Sequence, residues 1–328
     1  MHVLIVGAAG MIGRKLAVRL AEAGRVGRTE ISRLTLHDVV APLVPAYAPF
    51  PVSVIASDFA EPGAAQKLIA DRPDLVFHLA AIVSSEAEAD FDKGYRVNLD
   101  GTRHLFDSIR TAGGGSRPRF VFASSIAVFG APFPDAIGDE FFHTPLTSYG
   151  TQKVISELLL ADWSRRGFLD GVGIRLPTIC VRPGKPNKAA SGFFSNIIRE
   201  PLNGEEAVLP VSEDVRHWHA SPRSAIGFLM HAAEMDTGAL GARRNLSMPG
   251  LSVTVGEQIA ALERIAGRSV VSRIRRASDA AIMKIVRGWP RNFDTRRSLS
   301  LGFTTAERSF DDIISIHIED ELNGDFVH

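Results

Sequence analysis

Tyr149 and Lys153 stand four residues apart in Ser148-Tyr149-Gly150-Thr151-Gln152-Lys153, and the run that follows, Val154 to Trp163, is strongly helix-forming. On a helix that already includes Tyr149, the phenol and the ammonium share one face, one turn apart. A cation beside a phenol favours the phenolate and draws its pKa down from about 10. A phenol tuned in this way can take the proton of an alcohol or return it to a carbonyl. Chance also puts Tyr-x-x-x-Lys on many helices, so the pair needs support from elsewhere in the chain.

The first support is a phosphate cradle. Val3-Leu4-Ile5-Val6 is a continuous apolar run, as expected of a strand buried on both faces. Gly7-Ala8-Ala9-Gly10-Met11-Ile12-Gly13 follows directly, and Arg14 to Ala23 reads as an amphipathic helix ending at Gly24. Strand, glycine turn and helix in that order suit a dinucleotide. The glycines let backbone N–H groups approach a pyrophosphate, and the helix N-terminus adds positive potential. The Gly-x-x-Gly-x-x-Gly spacing differs from the commoner Gly-x-Gly-x-x-Gly, and a plain strand-to-helix turn is the competing reading.

The next strand, Leu34 to His37, ends at Asp38. An acid there can hold both hydroxyls of an adenosine ribose and repel a 2′-phosphate, which selects NAD over NADP. The alternative is a solvated carboxylate opening a loop. Ala41 to Pro51 carries four prolines and reads as an irregular connection. A third strand, Val52 to Ala56, leads to Asp58, which suits either an adenine amino group or a helix cap. A fourth, Leu75 to Ala81, ends in small residues against which a flat cofactor can lie. His78 within it reads as a core histidine. Ser84 and Ser85 then open a loop at the strand's C-terminal end, where ligands of open α/β sheets bind.

A long helix is expected over about 86–112. Asn98 in its middle is a modest helix former, which suggests a task for its side chain. Phe120 to Ser125 is a fifth strand finishing in two hydroxyls, Ser124 and Ser125, able to hold a substrate oxygen or to serve a turn. Gly171 to Thr178 supplies a sixth. Strands alternating with helices from residue 2 to about 180 predict an α/β fold with a doubly wound parallel sheet.

After Val181 the character changes. Helices are expected over 191–202, 222–234, 251–267 and 279–288, with Ser269-Val270-Val271 strand-like between the last two. His217 and His219 share a face if extended, but no third ligand lies nearby, which argues against a metal. Residues 1–181 are expected to form a dinucleotide-binding domain to which 222–248 returns. Residues 182–328 are expected to form mainly a smaller α+β substrate domain.

Composition bounds the rest. The chain has 328 residues, with 37 basic and 37 acidic side chains. That balance argues against a nucleic-acid footprint or a membrane-surface patch. Cys180 stands alone, so no intrachain disulfide forms, in keeping with a reducing compartment. No apolar run approaches the ~20 residues that span a bilayer, and with an apolar strand at residue 2 and no basic n-region or cleavage site before it, no secretory signal is expected. A cytoplasmic protein is expected, with a small-molecule acid as partner; a homodimer remains open.

Gly7-x-x-Gly10-x-x-Gly13, Ser125 and Tyr149-x-x-x-Lys153, in this order, resemble the extended short-chain dehydrogenases/reductases, the NAD-dependent epimerase/dehydratase superfamily. The stretches 77–90, 124–130, 148–153, 176–187, 199–208 and 248–255 further resemble a dehydrogenase group within it, so the likeness spans nearly the whole chain. It implies NAD as cofactor, Tyr149 as proton acceptor, Lys153 as its partner, and Ser125 orienting the reacting hydroxyl. It implies Gly7, Gly10, Met11, Ile12 and Gly13 around the pyrophosphate, Asp38 on the ribose and Asp58 at the adenine. Phe59, Leu79, Ala80, Ala81, Asn98, Ser124 and Pro177 complete the implied cofactor contacts.

Met11 stands where many relatives have Phe, and Val6 where Thr is frequent. Superfamily dehydratases follow the active hydroxyl with Asp-Glu, whereas Ile126 and Ala127 follow Ser125. Nucleotide-sugar epimerases carry Arg-Asp-Phe/His-Val-Asp-Asp where this chain has Arg216-His217-Trp218-His219-Ala220-Ser221. The resemblance with these departures implies oxidation of a small hydroxy acid. An Arg fork matches a carboxylate best. Arg182, after the sixth strand, is the expected carboxylate ligand, with Ser84, Ser85 and Asn187 as polar neighbours and Arg216 as competitor.

Overall fold

The computed structural model describes residues 1–113, 115–184 and 190–327. In chain order the elements begin with β1 (His2–Val6), α1 (Met11–Ala23), a hairpin of β2 (Arg25–Val26) and β3 (Thr29–Glu30), β4 (Arg33–Asp38), β5 (Val52–Ala56), α2 (Ala64–Ile69) and β6 (Leu75–His78). Then come α3 (Ser84–Ala89), α4 (Phe91–Gly94), a π-helix (Tyr95–Gly101), α5 (Thr102–Thr111), β7 (Arg119–Ser125), α6 (Ser148–Arg165), β8 (Asp170–Leu176) and β9 (Thr178–Ile179). The remainder is α7 (Phe193–Leu202), β10 (Ala207–Leu209), β11 (Arg216–Ala220), α8 (Pro222–Glu234), β12 (Asn245–Ser247), β13 (Leu251–Thr254), α9 (Val255–Ala266), α10 (Arg268–Val271), β14 (Ile274–Arg276), α11 (Ala280–Val286), α12 (Arg296–Ser300) and α13 (Phe310–Glu321).

Seven strands form one sheet in the order β12-β8-β7-β6-β1-β4-β5. The β5–β4, β4–β1, β1–β6 and β6–β7 pairings are all parallel. This is the doubly wound, Rossmann-like α/β fold expected. β1 is buried along its whole length because helices cover both of its faces. Leu4, Val6, Val76, Phe106, Phe120 and Leu160 belong to the core on one side. Packing the apolar faces of α2, α5 and α6 there fixes where each strand's C-terminal end, and so each loop, must lie.

The chain divides into two compact units: 1–128, 147–175 and 228–246 make the first, and 129–146, 176–227 and 247–328 the second. The division falls earlier than the expected boundary at 181, and the return begins within α8 rather than at 222. Residues 129–146 pack with the second unit, through Phe129 against Phe293 and a bridge from Ile137 to Phe293. Three strands, β13-β11-β9, form that unit's small sheet, and β10 pairs with β14. Its core gathers Phe194, Ile198, Ile259, Leu262, Phe310 and Ile314. Among the described residues no helix is long and apolar enough to cross a membrane.

Several expected elements change. The fourth strand stops at His78, because the amides of Leu79 and Ala80 turn to share Val6 O at 2.8 and 2.9 Å. The helix expected over 86–112 is broken at Asp90, whose side chain caps α4 through Lys93 N, and is interrupted again by the π-helix that carries Asn98. Leu251–Thr254 is a strand because it completes an antiparallel ladder with β11; the helix starts only where Thr254 and Glu257 form a capping box. Ser269-Val270-Val271 is helical rather than extended. Val270 is fully buried in the core, and that burial overrides the β preference of two valines.

Candidate active site

Thr147 caps α6, its Oγ1 accepting from Gly150 N at 3.0 Å, so the helix includes Tyr149 as the spacing requires. Lys153 lies one turn on. Its Nζ donates to Ala123 O of β7 at 2.8 Å and sits 4.6 Å from the Phe122 ring centroid and 5.7 Å from that of Tyr149. The side chain is buried. Desolvation pulls its pKa down to about 8, while the Glu157 carboxylate opposes the fall. Strand alternation separates the two serines of β7. Ser125 is half-buried, and its Oγ accepts from Ala127 N at 3.1 Å. Ser124 is buried and donates to Glu157.

Glu157 follows Lys153 by four residues on the same helix, and Arg175 of β8 meets it as a fork, Nε to Oε1 at 3.0 Å and to Oε2 at 3.2 Å, and Nη2 to Oε2 at 2.8 Å. A fork of this kind lets a carboxylate and a guanidinium share a dry interior. Arg175 is thus a packing residue, buried within β8. Glu157 was not singled out in the sequence; an acid four residues after a lysine on an otherwise inward face was its one signal.

The glycine loop carries two internal constraints and one position that packing leaves unconstrained. Gly7 has φ +101°, and a Cβ there would stand 2.5 Å from Ala80 N. At Gly13 a Cβ would stand 2.2 Å from Gly7 O. Gly10, the N-cap of α1, is different: nothing lies closer than 3.6 Å to its would-be Cβ, so internal packing does not require a glycine there. The first-turn amides of Met11, Ile12 and Gly13 have no acceptor within the helix, and no acidic residue occupies that turn. Open space against N–H groups at a helix N-terminus fits a pyrophosphate.

Asp38, half-buried, accepts from Ala9 N at 2.8 Å and from Val39 N at 2.7 Å, which ties the end of β4 to the glycine loop. Its carboxylate keeps further lone pairs for ribose hydroxyls. Asp58 behaves more as a turn residue, with Oδ1 accepting from Ala60 N at 2.9 Å and Oδ2 paired with Arg96 at 2.8 Å. Phe59 is a core residue, its ring edge-on to His78 at 5.4 Å. Leu79, Ala80 and Ala81 form a half-buried, small-residue ledge beyond β6. Asn98 is buried, its Oδ1 accepting from Ile82 N at 2.7 Å and its Nδ2 donating to Ile82 O and Gln152 Oε1. These bonds brace the ledge; the sequence signalled an unspecified task for Asn98, and the resemblance implied a cofactor contact. His78 is a core histidine, bonded to Thr102 Oγ1 at 2.8 Å and held well below its ordinary pKa by burial.

Ser84 and Ser85 begin α3 in the first unit and are half-buried. The other candidates lie in the second. Pro177 is buried between β8 and β9. Arg182 is half-buried, its Nε donating to Ile179 O at 3.1 Å and Nη2 to Ser191 Oγ at 3.1 Å. Asn187 falls outside the described residues. Arg216 donates to Ser252 O at 2.7 Å and pairs with Glu257 at 3.3 Å. It also lines a cavity of 710 Å³ with Arg287, Arg291 and Asn292, residues that carried no signal in the sequence because their loops meet only in the fold.

Residues 3–234 match the NAD dependent epimerase/dehydratase family. D-erythronate dehydrogenase of Cupriavidus necator is 46% identical to the chain over 324 residues, covering 98% of each. D-erythronate dehydrogenase of Haemophilus influenzae is 41% identical over 322 residues, 98% of this chain and 100% of that protein. A solved structure described as a nucleoside-diphosphate-sugar epimerase from Agrobacterium tumefaciens has a TM-score of 0.96 and 63% identity, covering 99% of this chain and 95% of its own.

Proposed function

Because the chain belongs to the NAD dependent epimerase/dehydratase family, we propose that it oxidises D-erythronate at C2 to 2-dehydro-D-erythronate. The observation that carries the chemistry is Lys153, buried beneath Tyr149 and anchored to Ala123 O beside Ser125. NAD, when bound, supplies the hydride acceptor. Tyr149 takes the hydroxyl proton of the substrate as the C2–O bond becomes a carbonyl. Below a pH of about 8 Lys153 is a cation, and it stabilises the phenolate that this requires. Ser125 holds the substrate oxygen by a hydrogen bond and so orients it to the phenol. Fixing that orientation in advance supplies part of the acceleration.

The substrate assignment draws on the two D-erythronate dehydrogenases matched over nearly their full length. For the substrate carboxylate, Arg182 is preferred to Arg216. Its guanidinium is already held in place by Ile179 O and Ser191, whereas Arg216 is engaged by Glu257.

The second reading is a sugar epimerase, favoured by the name of the Agrobacterium relative. An epimerase keeps its reduced cofactor and returns the hydride. The discriminating experiment offers the purified protein NAD and a panel of aldonates and uronates, and follows NADH absorbance. Continuous NADH formation with D-erythronate is expected. Cofactor that copurifies tightly, with no net NADH from any acid, would favour the epimerase.

A further inference from the structure

Gln152, next to Lys153 in sequence, is fully buried. Its Oε1 accepts from Asn98 Nδ2 at 2.7 Å. Asn98 in turn holds both backbone groups of Ile82, accepting from its N at 2.7 Å and donating to its O at 3.0 Å. Two side chains thus link the first turns of α6 to the backbone just past Leu79-Ala80-Ala81. The surroundings are shaped for them. A Cβ on Gly94 would stand 2.9 Å from Gln152 Nε2, so the amide occupies space that any other residue at 94 would fill. Asn98 sits in the π-helix, an irregularity within an otherwise α-helical stretch.

Stability alone does not account for a glutamine here. Its Nε2 is buried with no hydrogen-bond partner among the described residues. A buried donor left unmet is unfavourable, and a methionine would fill similar volume without one. What the glutamine does provide is direction. Successive residues on an α-helix project about 100° apart. Lys153 tethers α6 to β7 through Ala123 O, and Gln152 tethers it to Asn98 on the adjoining side. Two tethers at that angle fix the helix's rotation about its own axis, and Tyr149, one turn earlier, inherits that rotation.

We propose that Gln152 is a positioning residue: through Asn98 it locks the rotation of α6 that sets Tyr149 against Lys153 and the end of β7. The proposal rests on the reading of Tyr149 as the base, and its test separates the two. Gln152→Met, Asn98→Ala and the double variant are compared with wild type for kcat and KM with the acid that wild type oxidises. NAD affinity by calorimetry and melting temperature are measured alongside. The ultraviolet titration of the Tyr149 phenol is read as the difference from Tyr149→Phe.

A misplacement of about 1 Å costs up to about a hundredfold in rate. Gln152→Met is therefore expected to lower kcat about ten- to a hundredfold, with KM and NAD affinity within about threefold. Its melting temperature should stay within about 4 °C of wild type, and its phenol should titrate at higher pH. Adding Gln152→Met to Asn98→Ala should cost less than about threefold more, since both act through one link. A kcat within about twofold of wild type, or a loss of kcat matched by a large fall in melting temperature, would overturn the proposal. Should wild type oxidise no acid, the functional reading fails by itself. The phenol titration then decides: an unshifted midpoint overturns the positioning role, and a raised one upholds it.

Discussion

Two places in this molecule set a pair of chemically able side chains on one face. On α6 they are Tyr149 and Lys153, four residues apart; on β11 they are His217 and His219, two apart. The spacing is right for each element, yet the surroundings differ. Lys153 has a carbonyl and two aromatic faces around it, and the Tyr149 ring is half-buried. His217 has both ring nitrogens bonded, to Thr178 Oγ1 at 2.7 Å and Pro290 O at 2.9 Å, and its ring stacks on Phe194. His219 Nε2 meets Gln258. Burial, with the nearby Arg182 cation, holds both histidines below their ordinary pKa, His217 down to about 4. Spacing nominates a pair in each place; what differs is exposure, since Tyr149 is half-buried while both histidines are buried.

The largest effect should come at Tyr149. Tyr149→Phe removes the proton acceptor proposed above but keeps the ring packing, and loss of a general base typically costs ~10²–10⁴-fold. We expect kcat to fall by that factor with NAD affinity kept. More than about a tenth of wild-type kcat remaining would place the base elsewhere and undo the contrast between the two pairs.

Next comes Arg182, the charged group that faces the β11 histidines. If it holds the carboxylate, Arg182→Met should raise KM for the acid about ten- to a hundredfold, the worth of a charge-assisted contact of ~1.5–3 kcal/mol. NAD affinity should be nearly unchanged. An unaltered KM, with a raised one in Arg216→Met, would move the assignment to the arginines of the 710 Å³ cavity.

The third prediction sets the pairs against each other by pH. Both Lys153 and His217 are bases whose folded pKa is depressed, so in each case the unfolded chain binds more protons between the two values and stability rises with pH there. For Lys153 the window runs from about 8 to the ordinary 10.5; for His217 it runs from about 4 to 6.5. Each span corresponds to about 3 kcal/mol at most. Denaturant melts of Lys153→Met should lose the alkaline rise, and those of His217→Phe the acid fall. Either slope persisting in its variant would refute the assigned environment.

The smallest effect is on turnover at β11. His217→Phe should keep kcat within about twofold, as its ring is a packing group. A loss above tenfold would make the strand pair catalytic after all.

Much of the first unit was legible because its signals are local. A strand, a glycine turn and a helix are contiguous from His2 to Ala23, and Gly7 and Gly13 answer to contacts within that span or one strand away. The residues that tune the site were less visible. Ser124 and Ser125 carry the same hydroxyl, and only the pleat against α6 assigns one to Glu157 and the other to the open side. Asn98 showed as an odd residue in a helix, but Ile82 and Gln152, its partners, are 16 and 54 positions away.

By itself the sequence determined which groups could react, since residue type and a spacing of four on a helix are properties of the chain alone. It also determined the alternation that builds a parallel sheet, since an apolar run between helices has few other ways to be buried. Only the tertiary structure decided where Leu251–Thr254 and Ser269–Val271 would go, because a ladder partner for one and a buried valine in the other outweighed local preference. It alone separated the half-buried Tyr149 from the two buried histidines of β11. Burial and hydrogen-bond partners arise from segments distant along the chain, and they set the free energy of each charge.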